Sequence, residues 1–147
     1  MNDVEYMQQA LQLASAAANE GEVPVGALIV KDGVIVAKAY NRRETDKIST
    51  AHAEILAIES ACKSLGTWRL GGCTLYVTLE PCPMCTGAIL NSRIDRVVYG
   101  AKDAVAGCCG TVLNMNAYPF NHSFSVTSGV CEDECKYILK EFFKNKR

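Results

Sequence analysis

The stretch that most constrains this chain is Thr78-Leu79-Glu80-Pro81-Cys82-Pro83-Met84-Cys85. Thr74 to Leu79 is β-branched and apolar and suits a buried strand. Pro81 and Pro83 donate no backbone N–H and hold φ near a helical value, so they suit a turn and a first helical position. A strand must therefore run through a tight turn into a helix. Cys82 and Cys85 then share one face of that helix's first turn. Free N–H groups and the positive end of the helix dipole lie there, and both favour thiolate over thiol. Two such thiolates can bind one zinc ion but do not complete its shell.

The rest of the shell has to come from elsewhere in the chain. There are only two histidines, His52 and His122. A lone histidine carries little weight, but His52 sits in His52-Ala53-Glu54, at the expected start of a helix. His52, Cys82 and Cys85 make three protein ligands and leave one position open, as in a catalytic zinc site. Zn²⁺ there lowers the pKa of a bound water toward roughly 7. Glu54, two residues from the ligand, can face that water without ligating, and a structural zinc has no use for such a carboxylate.

Eight cysteines in 147 residues is many, and their setting decides how they are read. The first residues, Met1-Asn2-Asp3-Val4-Glu5, have neither a basic nor an apolar leader pattern. No apolar run approaches the roughly 20 residues of a membrane span. We therefore expect a cytoplasmic protein without membrane association, in which cysteines serve as ligands, redox groups or small core residues rather than disulfides. A second metal at Cys108, Cys109, Cys131, Cys135 or His122 is conceivable, whereas Cys62, Cys73 and Cys135 read as core. With 49% apolar and 21% charged residues the chain reads as one globular domain over 1–147. A net charge of −1 excludes a uniformly basic nucleic-acid binder, so any RNA surface must be local.

Around the motif the pattern is that of α/β layers on one sheet. Asp3 is placed as the cap of a first helix whose Met7, Ala10, Leu11, Ala14, Ala17 and Ala18 recur at helical spacing, with Gly21 as its stop. Val25–Val30 and Val34–Ala37 flank Lys31-Asp32-Gly33 as a hairpin covered on both faces. Gly26 inside that strand signals either close packing or room for a ligand. Asn41 is a turn residue or a reader of a base edge. Arg42 to Lys47 reads as a polar loop in which Arg42 and Arg43 either contact phosphate or solubilise. Ser49 or Thr50 is placed as the cap of the helix ending at Gly66. Short strands are expected at Arg96–Tyr99 and Ser123–Thr127, and a final helix at Glu132–Phe143.

The pattern H-x-E…P-C-x-x-C is the signature of zinc nucleobase deaminases. Beyond it, the chain resembles the bacterial-type tRNA-specific adenosine deaminases. The likeness runs through Gly21-Glu22-Val23-Pro24-Val25-Gly26-Ala27, Tyr40-Asn41, Thr50-Ala51-His52-Ala53-Glu54 and Thr78-Leu79-Glu80-Pro81-Cys82. It continues through Ser92-Arg93-Ile94, Val97-Val98-Tyr99-Gly100-Ala101, Phe120-Asn121-His122 and Phe142-Phe143. The resemblance implies a three-layer α/β/α cytidine-deaminase-like fold with a five-stranded mixed sheet, one zinc per subunit and a homodimer. It implies hydrolysis of adenosine to inosine at the wobble position of a tRNA anticodon. Asn41 would then bond the flipped adenine, and Val25, Ala27, Ala53 and Pro81 would form the substrate pocket. Lys102, Asp103 and the basic tail Lys144, Lys146 and Arg147 would lie near the anticodon stem-loop. Pro-Cys-Pro-Met-Cys is also similar to the free-base guanine deaminases, which makes a nucleobase deaminase the alternative. A non-catalytic, zinc-stabilised RNA-binding module is the reading from another class.

Overall fold

The computed structural model describes residues 1–146. Helix α1 (Asp3–Asn19) is capped by Asn2, which accepts from the Glu5 N–H while the Glu5 carboxylate accepts from the Asn2 N–H. This corrects the expectation for Asp3. Asp3 is the first helical residue, and its carboxylate instead binds Arg96 at 2.6 and 3.0 Å and the Tyr76 hydroxyl at 2.7 Å. Strands β1 (Gly26–Lys31) and β2 (Val34–Tyr40) form the expected hairpin. Asp32 and Gly33 both take positive φ, 50° and 76°, which matches the twist of a two-residue hairpin turn. Then follow a short helix α2 (Arg43–Asp46), helix α3 (Ala53–Leu65), strand β3 (Cys73–Leu79) and helix α4 (Pro83–Ser92). Strands β4 (Arg96–Ala101) and β5 (Ser125–Thr127) and helix α5 (Glu132–Asn145) complete the order.

The five strands form one mixed sheet in the order β2-β1-β3-β4-β5. β1 is antiparallel to β2 and β3, while β3, β4 and β5 are parallel. Side chains alternate between two cores, as a pleated strand requires. Leu28, Val30, Tyr76 and Val98 pack under α1 and α5 with Met7, Ala10 and Cys135. Ala27, Ile29, Leu75, Val77, Val97 and Tyr99 pack on the α3 and α4 side with Ala57, Ala61 and Ile89. The result is the expected three-layer α/β/α arrangement.

Three local expectations change. β2 is an edge strand and carries exposed positions, so the hairpin is not covered throughout. Arg42 to Lys47 is not merely loop, because Arg43 to Asp46 coil into α2. Gly26 is a packing glycine. A Cβ there would strike the Ala10 carbonyl oxygen of α1 and lie 2.7 Å from the Ala14 nitrogen and 2.8 Å from the Leu13 Cβ. The alanines of α1 let the helix sit on bare strand backbone at this point.

The register sets the position of the site. Ala27 pairs with Val77, and Gly26 with Tyr40. The start of β1, the end of β2 and the end of β3 therefore meet at one end of the sheet, and the residues just before β1 and just after β2 and β3 converge there.

Candidate active site

Both halves of the motif arrive at helix N-termini. His52 is the N-cap of α3, which displaces Ser49 and Thr50 from the role expected of them. Cys82 is the N-cap of α4, with Pro83 as the first helical residue. Neither cap side chain makes the usual capping bond to its helix, so both are free to face each other. The His52 Nδ1 lies 3.7 Å from the Cys82 Sγ and 3.6 Å from the Cys85 Sγ. All three donor atoms lie within 4.8 Å of one another.

That spacing fits one zinc ion. Tetrahedral coordination with Zn–S of about 2.3 Å and Zn–N of about 2.05 Å sets sulfur and nitrogen roughly 3.6 Å apart. Among the described residues no other group of histidine, cysteine and acidic side chains has such spacing. His122 instead hydrogen-bonds the Ile94 carbonyl at 2.7 Å, while Cys73, Cys108, Cys109 and Cys135 are buried free thiols and Cys131 is a free thiol at partial exposure. The proposed second metal therefore has no counterpart among the described residues.

The electrostatics favour a divalent cation. A hydrogen bond from Cys85 pulls the Cys82 thiol down to about 4, against burial and with help from His52. The same bond, with burial, pushes Cys85 well up. One sulfur thus carries charge while the other keeps its proton, which metal binding would displace. Glu54 is 4% exposed, and burial pushes its carboxyl up to about 7.

A cavity of about 280 Å³ opens beside these groups. Its size is near the lower end of ligand sites, roughly 300–1,000 Å³, and suits one flat heterocycle. His52, Glu54 and Cys82 line it together with Val25, Asn41, Ala53 and Asp103, all named from the sequence. Asn41 is 8% exposed; its Nδ2 donates to the Val23 carbonyl at 3.3 Å and its Oδ1 accepts from the Arg43 N–H at 3.2 Å. Of the four hydrogen bonds an amide can make, this leaves one N–H and one lone pair for a ligand.

Other expected positions lie elsewhere. Ala27 is fully buried in the core and does not reach the cavity wall. Pro81 is buried and does not line the cavity, and its carbonyl accepts from the Cys108 N–H at 2.9 Å. Lys102 is exposed outside the cavity, and Lys144 and Lys146 are exposed at the end of α5, with the Lys146 ammonium 5.3 Å from the Phe142 ring centre. Arg147 lies outside the described residues.

Two carboxylates in the wall were not singled out from the sequence. Glu22 is fully buried and accepts from the Glu44 N–H at 3.0 Å and the Thr45 N–H at 2.6 Å, at the start of α2. Burial opposes its ionisation, but the Thr45 hydroxyl and these N–H groups outweigh it and hold its pKa low. Glu80 is 1% exposed and binds the loop after β4. The available signal was an acid one or two residues before a proline, as in Glu22-Val23-Pro24 and Leu79-Glu80-Pro81.

Comparison with known proteins agrees with this geometry. A family model described as MafB19-like deaminase matches residues 1–147. A tRNA-specific adenosine deaminase of Bacillus subtilis (strain 168) is 54% identical over 143 residues, 97% of this chain and 89% of its own. A structure from work on A-to-I editing by tRNA:A34 deaminases at the wobble position superposes with a TM-score of 0.90 at 43% identity, covering 92% of this chain and 99% of the other. The guanine deaminase structure from Bacillus subtilis gives a TM-score of 0.67 at 46% identity over 69% of this chain and 66% of its own. The chain belongs to the MafB19-like deaminases and, among them, to the family of tRNA-specific adenosine deaminases.

Proposed function

We propose that this chain hydrolyses adenosine to inosine and ammonia at the wobble position of a tRNA anticodon, as a zinc-dependent, cytoplasmic homodimer of one-domain subunits. The observation that carries this reading is the His52, Cys82 and Cys85 cluster, with buried Glu54 beside it, at the wall of a base-sized cavity. No helix among the described residues is long and apolar enough to cross a membrane.

His52, Cys82 and Cys85 would hold the zinc ion, which when bound makes water acidic enough to attack near neutral pH. Asn41 holds the adenine edge through its free N–H and lone pair. Val25 and Ala53 pack against the ring and exclude bulk water. Glu54 takes a proton from the attacking water and delivers it to the departing amino nitrogen, so the leaving group is ammonia. A base has to leave its stack to enter the cavity, and a loop base does so at least cost. Lys102, Lys144 and Lys146, exposed outside the cavity, serve together with Arg147 of the basic tail as local basic contacts for the stem-loop, consistent with a net charge near zero.

The test is incubation with an unmodified tRNA anticodon stem-loop and, separately, with free guanine, reading inosine and ammonia. Glu54→Ala should retain one zinc per chain and lose about 10²–10⁴-fold in turnover. Turnover of guanine and none of RNA would establish the free-base alternative. Stoichiometric RNA binding without turnover by the wild-type protein would favour a non-catalytic module. An active Glu54→Ala protein would remove the proton-transfer role.

A further inference from the structure

We infer that Glu80 is the positioning residue that holds one wall of the base cavity in shape. The inference rests on the deaminase reading above and assigns Glu80 no contact with the reacting atoms. Asp103 and Ala106 form that wall, on the loop that leaves β4. Glu80 Oε1 accepts from the Asp103 N–H at 3.1 Å and from the Thr111 hydroxyl. Its Oε2 accepts from the Cys109 N–H at 2.9 Å and the Thr111 N–H at 3.1 Å.

A carboxylate offers about four acceptor sites, and here one loop fills all four. Glu80 therefore has nothing left with which to bind substrate, although it lines the cavity. The loop also packs directly on it. A Cβ on Gly107 would lie 2.5 Å from the Glu80 carboxyl carbon. Within the loop, Asp103 Oδ1 accepts from the Val105 and Ala106 N–H groups at 3.0 and 3.2 Å, so the wall turns as a small preformed unit. That unit is tied to the end of β3 by Glu80 and by the Pro81 carbonyl, which accepts from the Cys108 N–H at 2.9 Å.

The anchor also sits beside the metal cluster. Glu80 is two residues before Cys82, so the segment that places Cys82 anchors the Asp103 wall as well. A wall held before substrate arrives needs no ordering on binding. Loosening it should weaken binding of ground state and transition state alike, which raises KM and leaves kcat nearly unchanged.

Glu80→Gln replaces one acceptor oxygen with an NH₂ that faces N–H donors. We expect KM for the stem-loop to rise about tenfold, the scale of a lost hydrogen bond to a charged group, with kcat within about twofold. Zinc should remain at one per chain. Hydrogen exchange should accelerate at the amides of Asp103, Cys109 and Thr111 and not in β1 or β3. Should Glu80→Gln fail to fold, Thr111→Val keeps the carboxylate and all three N–H donors, and should show the same pattern at about threefold in KM. Unchanged KM with unchanged loop exchange would overturn the inference. So would exchange that accelerates uniformly over the sheet, which marks general support of the fold. Wild-type protein inactive on RNA would overturn the substrate reading instead, and the exchange comparison then decides the anchor by itself.

Discussion

Gly26→Ala tests the seating of α1 on the sheet. The new methyl would meet the backbone of α1, namely the Ala10 carbonyl oxygen and the Ala14 nitrogen, with the Leu13 Cβ at 2.8 Å. Real Cβ atoms essentially never approach other atoms within 3.0 Å, so α1 has to lift from β1. No side chain can rotate away to spare it. Overpacking costs typically 1–3 kcal/mol, and contact with backbone puts this case near the top, at about 3 kcal/mol. The lift also strains the bond from the Gly26 N–H to Thr78 Oγ1, now 3.2 Å. For a chain of this size, about 3 kcal/mol corresponds to a fall in Tm of roughly 6–12 °C. Urea unfolding followed by circular dichroism should show a lower midpoint at unchanged m. Zinc content and KM of the protein that remains folded should match wild type, since the clash is with α1 and not with the cavity. A loss under about 2 °C would refute the packing account. Intact stability with impaired substrate binding would restore the reading of Gly26 as room for a ligand.

Two further outcomes follow from named contacts. Asn41→Ala removes the amide that faces the cavity, and KM should rise about tenfold or more at constant zinc content; an unchanged KM would remove Asn41 from recognition. Asp3→Asn should weaken the tie between α1 and the sheet, because the Arg96 guanidinium, with the Tyr76 hydroxyl, holds the Asp3 pKa below its ordinary value. That stabilisation is present above the unfolded carboxylate pKa of about 3.9 and is lost as pH falls through the lower folded value. The stability gap between wild type and variant should thus be steady above about pH 5 and close under acid; a gap that widens on acidification would contradict the pair.

Much of the site was legible because its chemistry is written at short range. Cys82 and Cys85 are close by helical spacing alone, and His52-Ala53-Glu54 and Pro81-Cys82 are local patterns. Asn41, Val25 and Ala53 came through likeness to a known family, and each borders the cavity. Ala27 does not, since it shares the face of Val25 but lies further along β1, fully buried in the α3 and α4 core. Capping was harder to read. His52 occupies the N-cap of α3 although serine and threonine lie just before it, where the chain turns through the Ala51 N–H to Ile48 carbonyl and His52 N–H to Thr50 carbonyl bonds.

The chain by itself determined the order of helices and strands apart from the short α2, the Asp32-Gly33 hairpin and the three side chains that could hold a metal, all of which depend on neighbours in sequence. The tertiary structure alone decided that β2 lies at the sheet edge, that α1 presses on Gly26, and that Glu22 and Glu80 tie the α2 segment and the loop after β4 to the cavity. The physical reason is that strand order and the partner of a buried carboxylate are set by residues far away in sequence. Glu80 meets the N–H groups of Asp103, Cys109 and Thr111 only after β3 and β4 have paired in parallel, and no local pattern around Glu80 announces those donors.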